Sequence, residues 1–165
     1  MKIKGKTWKY GDGLTTDYML PGKYLELTDP EEMATHAMEG IDPSFTSKVR
    51  RGDILVAGLN CGLGSSREHA PIALKYSGVR AVVAESFARI FYRNSFNVGL
   101  LAIECKGISD TVKTGDTLEI DVNQGIITVN YDVKKLTFTK PPQFMIEIIE
   151  EGGLVQYLRK NLSTW

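Results

Sequence analysis

Three short apolar runs set the frame for this chain: residues 53–58 (DILVAG), 80–84 (RAVVA) and 99–104 (GLLAIE). They are too short for helices and show no polar alternation, so they read as strands buried on both faces. Residues 70–76 and 87–94 between them read as helices. Gly78 stops the first, and the second is expected to turn Ile90 and Phe91 inward. Strand–helix–strand–helix–strand order predicts a parallel sheet with right-handed crossovers. Residues 2–10 alternate and predict one more strand.

The flanks are less regular. Residues 11–17 read as a polar turn, and residues 18–25 as a short apolar segment broken by Pro21. Thr28 or Asp29 ahead of Pro30, Glu31 and Glu32 signals a helix start, with acids at the positive end of the dipole. That helix is expected over 30–39, stopping at Gly40, and a second helical piece over 43–51, ended by Gly52. The last third carries β-hairpin signals at 117–122, 126–130 and 136–138. A helix over 143–151 follows, with Phe144 and Ile148 at helical spacing, and then a last one over 154–161 carrying Tyr157 and Leu158. There is no repeat, linker or low-complexity tract. The expectation is one α/β domain over residues 1–165 with a β-rich C-terminal part.

Charge and cysteine usage narrow the function. Twenty Lys and Arg balance twenty Asp and Glu, which argues against a nucleic-acid binder. No run approaches the about 18 apolar residues of a transmembrane helix, and the opening residues lack the apolar core of a signal peptide. A cytoplasmic protein without membrane contact is expected. Cys61 and Cys105 are the only cysteines. Two thiols make no disulfide framework and cannot hold a cubane cluster, which takes three or four thiolates. His36 and His69 lie far apart, and no HExxH is present. No metal site made by this chain is expected, and both cysteines read as small packing residues.

The segment with chemical content is residues 62–69 (GLGSSREH), between a buried strand and a helix. Two readings are open. Ser65 or Ser66 can cap the helix with Glu68 closing a capping box, while Arg67 pairs with a surface acid. Alternatively, glycines that admit close backbone approach, two hydroxyls, an Arg fork and a helix N-terminus make a cradle for an anionic, oxygen-rich small molecule. The spacing matches neither a P-loop nor a nucleophile elbow.

Longer matches favour the second reading. Residues 60–70 (NCGLGSSREHA) resemble a signature of the mobile domain of aconitase-type hydro-lyases, and residues 86–99 (SFARIFYRNSFNVG) are similar to its second signature. Gly11-Asp12, Thr16-Asp17, residues 21–25 (PGKYL) and residues 152–158 (GGLVQYL) resemble the family's opening and close. In length and start the chain looks like the free-standing small subunits of archaeal-type 3-isopropylmalate dehydratase and its relatives homoaconitase and dimethylmalate dehydratase. The resemblance implies a swivelling β/β/α fold and a 4Fe–4S cluster bound by a larger partner subunit, in a heterodimer or heterotetramer. It implies dehydration and rehydration of a hydroxy dicarboxylic acid, in leucine biosynthesis for the isopropylmalate branch. It also implies that Ser65 is the proton-abstracting base and that Ser66 and Arg67 bind substrate carboxylate.

Substrate choice in such families depends on the loop after Pro21, here Tyr24, Leu25, Glu26 and Leu27. Relatives acting on homocitrate tend to carry Arg there. Glu26, if it points inward, repels a third carboxylate, and Leu27 offers packing for a branched alkyl group. Isopropylmalate is therefore expected, with dimethylmalate close behind. Two readings remain for Arg89 and Arg93: solvated side chains, or contacts to the active-site loop or the large subunit. His69 has the same ambiguity between a supporting donor and a packed or solvated side chain.

Overall fold

The computed structural model describes residues 1–162, so the end of the expected 1–165 domain lies outside the described residues. Its strands are β1 Lys2–Lys9, β2 Ile54–Ala57, β3 Ala81–Ala84, β4 Leu101–Glu104, β5 Thr117–Asp121, β6 Ile126–Val129 and β7 Lys134–Thr137. They form one sheet in the order β4-β3-β2-β1-β5-β6-β7. The three apolar runs are the parallel strands β2, β3 and β4. β1 pairs in parallel with β2 and antiparallel with β5, so it joins the parallel half to an antiparallel meander. The alternation of residues 2–10 marks β1 as a strand but does not mark it as the seam.

The helices are α1 Thr16–Met19, α2 Pro30–Ala34, α3 Phe45–Lys48, α4 His69–Ser77, α5 Arg89–Asn97, α6 Ile108–Thr111, α7 Gln143–Glu150 and α8 Leu154–Asn161, with a 3-10 turn at Gly22–Tyr24. They cover both faces of the parallel half. Alternate residues of β2 enter opposite cores, Ile54 and Val56 in one, Leu55 and Ala57 in the other. β3 divides the same way, with Ala81 and Val83 opposite Val82 and Ala84. This two-sided burial is why these strands are apolar throughout.

Several elements depart from the pattern-based expectation. Asp29 caps α2 as expected, accepting from the Glu31 and Glu32 amides. The helix nevertheless ends at Ala34 instead of Glu39. Met38 takes a left-handed φ of 63°, and the Met38 and Gly40 amides donate to Met19 and Tyr18 carbonyls rather than continuing the helix. The expected helix at 43–51 shrinks to the four residues of α3. Residues 16–19, read within a turn and a broken apolar segment, form α1. In α5, Phe91 is buried but Ile90 is 42% exposed. Neighbouring helix residues diverge by about 100°, so both cannot face one core. The stripe of α7 is Ile146, Ile148 and Ile149, which leaves Phe144 exposed.

The seam strand tolerates no side chain at its middle. A Cβ on Gly5 would lie 2.1 Å from the Gly52 carbonyl oxygen, which is backbone and cannot swing aside. Gly5→Ala is expected to destabilise the fold by about 1–3 kcal/mol, the usual cost of overpacking. A lowered midpoint in urea unfolding checks it; an unchanged midpoint contradicts the close approach.

Candidate functional site

The chain leaves β2 at its carboxyl end and enters the irregular segment 58–68. Ligands bind beyond this end of parallel strands. The backbone of the segment is tied on two flanks. On one, residues 11–16 run beside it: Gly58 donates to the Gly11 carbonyl, Gly13 to Leu59, Gly62 to Leu14 and Thr16 to Leu63, at 2.7–3.1 Å. The Asp12 carboxylate accepts from the Leu59 amide at 2.8 Å. On the other flank, Cys61 donates to the Ser86 carbonyl and Ala88 to Cys61, and the Ser86 hydroxyl accepts from the Asn60 amide.

Ser65 sits where these ties converge. Its amide donates to the Thr16 hydroxyl at 2.9 Å, and its own Oγ accepts from the Arg67 amide at 3.1 Å. The Asn94 side chain, buried on α5, donates to the Ser66 carbonyl at 2.9 Å. Gly64 has φ 130°, and a Cβ there would meet the Thr16 hydroxyl at 2.5 Å. The residue before Ser65 is therefore glycine by both conformation and space.

The capping-box alternative does not survive. Glu68 occupies the position before α4 but makes no side-chain cap bond, and Ser65 bonds two residues ahead as a local turn. The other half of that alternative fails too: among the described residues, no carboxylate lies within ion-pair distance of the Arg67 guanidinium. Ser65 is half-buried, while Ser66 and Arg67 are exposed.

Two clefts meet at Ser65. One, of about 360 Å³, is lined by Thr16, Leu20, Leu25, Ser65, Arg67 and His69 among others. The other, of about 730 Å³, is walled by Leu63, Ser65, Arg89, Ile90, Tyr92 and Arg93 among others. Arg89 and Arg93 are exposed on this second rim, beside exposed Leu63 and Ile90. Ser66 lies outside the lining of both clefts.

The four residues of the loop after Pro21 separate. Leu25 lines the first cleft. Tyr24 turns to the Glu39 carboxylate, donating its hydroxyl at 2.7 Å. Glu26 is exposed and outside the lining. Leu27 packs on the core that holds Met33 and Phe45, so the surface it was expected to offer an alkyl group is spent on the protein itself. Thr16, Asp12 and Asn94, which hold the segment, were not singled out from the sequence as site residues. Their signal lay in view, since all three fall within stretches that carried the family resemblance.

The two thiols lie in different cores, Cys61 in the one containing Leu55 and Cys105 in the one containing Ile54. Burial pushes Cys61 up to about 12, and burial with the nearby Glu85 charge pushes Cys105 up to about 11. Held in different cores, they do not fit as ligands of a shared cluster. Among the described residues no group of three or more His, Cys, Asp or Glu is placed to hold a metal ion. No helix among them is long and apolar enough to cross a membrane.

Residues 15–107 match the family model for the aconitase C-terminal domain. A 3-isopropylmalate dehydratase small subunit of Thermodesulfovibrio yellowstonii is 55% identical, over 99% of this chain and 97% of that one. An isopropylmalate/citramalate isomerase small subunit of Methanocaldococcus jannaschii is 53% identical, over 98% and 96%. The crystal structure of a 3-isopropylmalate dehydratase from the same organism superposes with a TM-score of 0.93 at 49% identity, covering 99% of this chain and 97% of that one.

The Thr16 hydroxyl is what satisfies the Ser65 amide. Thr16→Val, which keeps the shape and removes the acceptor, is expected to cost about 1–3 kcal/mol of stability, and Thr16→Ser to restore it. Denaturant midpoints for the pair measure this; equal midpoints for Val and Ser would remove Thr16 from the support of Ser65.

Proposed function

The chain belongs to the aconitase C-terminal domain family, in the branch of 3-isopropylmalate dehydratase small subunits, and from that premise we propose that it contributes half of an active centre. The reaction is the interconversion of 2-isopropylmalate and 3-isopropylmalate by loss and re-addition of water, as a step of leucine biosynthesis. The observation that carries this reading is the junction at Ser65. A fixed hydroxyl, and two residues on a guanidinium with no carboxylate partner among the described residues, open into the same cleft.

Dehydration requires a proton to leave the carbon beside the one that loses hydroxide. Ser65 Oγ is the group proposed to take it. A serine is a poor base unless its alkoxide is stabilised in place. Here the Arg67 amide already donates to that oxygen, the Arg67 side chain shares the cleft, and the N-terminal residues His69 and Ala70 of α4 line its wall. The positive end of this helix favours the anion. As the alkoxide, Ser65 Oγ takes the proton from carbon, the C–H electron pair becomes the double bond, and hydroxide departs. Rehydration adds hydroxide to the carbon that lost the proton and returns the proton to the carbon that lost hydroxide. Arg67 is proposed to grip a substrate carboxylate through its fork; Ser66, the second contact that the resemblance implies, is exposed beside Ser65 but lies off both cleft walls. The 4Fe–4S cluster, which supplies the Lewis acid for departing hydroxide, is assigned to the large subunit, since this chain's thiols do not fit it.

Leu25 supports an alkyl-substituted substrate, because it is the apolar member of the substrate loop on the cleft wall. The rim with Leu63, Ile90, Arg89 and Arg93 is proposed as the side on which the large subunit closes. Apolar side chains 46% and 42% exposed beside a reacting serine need covering to exclude water.

The test is co-expression with candidate large subunits and assay of the pair on 2-isopropylmalate, dimethylmalate and homocitrate. Turnover is expected for the pair, with 2-isopropylmalate preferred, and none for this chain alone. Ser65→Ala is expected to co-purify normally while kcat falls by about 10²–10⁴-fold, the usual share of a general base. Dehydration by the isolated chain, or near-normal kcat in the variant, would contradict the assignment.

A further inference from the structure

Outside the cleft, a compact polar cluster holds the loop that carries Leu25. Glu39 Oε1 accepts from the Tyr24 hydroxyl at 2.7 Å, and the Lys23 ammonium lies 3.5 Å from the same oxygen. His36 Nδ1 lies 2.7 Å from Glu39 Oε2. A carboxylate only accepts, so that nitrogen carries the proton and donates. The Tyr24 ring stacks on the His36 imidazole, with centroids 3.7 Å apart and planes 15° apart. The Tyr24 hydroxyl first, and then the His36 ring, hold the Glu39 carboxyl below its ordinary range.

Glu39 is itself fixed. The residues on either side of it, Met38 and Gly40, donate their amides to Met19 at 2.7 Å and Tyr18 at 3.2 Å. A Cβ on Gly40 would lie 2.6 Å from the Asp17 carbonyl, so the backbones are in contact there. The turn carrying Glu39 is thus bolted to α1, the same helix whose Thr16 holds Ser65. From this fixed point the carboxylate grips Lys23 and Tyr24, and the next residue in the chain is Leu25, which faces the cleft. Short loop bonds, Leu25 to the Gly22 carbonyl and Leu27 to Tyr24, carry the position of Tyr24 on to its neighbours.

We propose that Glu39 is a positioning residue for substrate selection. By clamping Tyr24 and Lys23 it holds Leu25 at the depth that separates an isopropyl from a smaller alkyl group. The inference rests on the dehydratase reading above for its substrate and adds a determinant that never touches that substrate. Differences of one or two methyl groups in a pocket change kcat/KM by about 10–200-fold, so the location of one leucine is enough to matter.

The experiment uses the full chain, alone and paired with its large subunit. In the chain alone, Glu39→Ala is expected to speed amide hydrogen exchange over residues 22–27 by about tenfold while β2 and β3 stay as protected as before. In the pair, the same variant is expected to raise KM for 2-isopropylmalate about tenfold with kcat changed by less than about threefold. Preference for 2-isopropylmalate over 2-methylmalate should drop about tenfold. Glu39→Gln keeps an acceptor for Tyr24 and is expected to recover most of both effects. Unchanged exchange at 22–27, or an equal loss of kcat/KM on the two acids, overturns the proposal. A wild-type pair that turns over neither acid overturns the dehydratase reading and the selectivity claim with it, and the exchange result still decides whether Glu39 anchors the loop.

Discussion

The hydrogen-bonding of one irregular segment governs this molecule. Residues 58–66 leave the sheet with their backbone groups exposed to neighbours on two sides, and each side answers: residues 11–16 on one, Ser86 to Ala88 and Asn94 on the other. Backbone groups buried without partners cost about as much as a lost hydrogen bond, so the segment is ordered only while both flanks are docked. Those flanks come from before β2 and after β3. The loop that carries Ser65 is therefore assembled by the tertiary structure, and its rigidity is a property of the whole parallel half.

The same economy explains the layout around it. β1 sits at the centre of the sheet, and the chain leaving it passes directly alongside the segment after β2, its parallel neighbour. The seam position of β1 thus delivers the 11–16 flank of the site. Its close packing on Gly52 through Gly5 keeps that register. On the far side, the turn that ends α2 folds back on α1 through Met38 and Gly40, so the cleft wall with Thr16 and Leu25 is braced from behind. A proposed active centre that awaits a second subunit gains from such bracing, since misplacement of a reacting group by about 1 Å is costly in rate.

Much of the fold was legible in the residues. The parallel strands were, because burial on both faces leaves an uninterrupted apolar run that no helix of that length produces. The α2 start was, because Asp29 and Pro30 act through local geometry alone. Its end was not, because Gly40 looked like the stop, whereas the helix is broken earlier by amides drawn to carbonyls of α1. Ile90 and Phe91 could not be told apart by hydropathy; the helix's rotation about its axis decides, and the sheet sets that rotation. The Ser65, Ser66 and Arg67 constellation stood out as chemistry, while its supports, Thr16 and Asn94, did not, since a hydroxyl and an amide gain meaning only from what they reach.

By itself, then, the order of residues determined an α/β chain with a parallel sheet and a Gly-Ser-Arg loop at a strand's carboxyl end. Such features rest on interactions within a few residues or on burial averaged over a strand. Only the tertiary structure decided that no described acid lies beside Arg67, that Leu25 rather than Leu27 walls the cleft, and that the Glu39 carboxylate meets Lys23 and Tyr24. Each of these depends on groups distant in sequence meeting within a few ångströms, and spacing along a chain carries no record of such meetings.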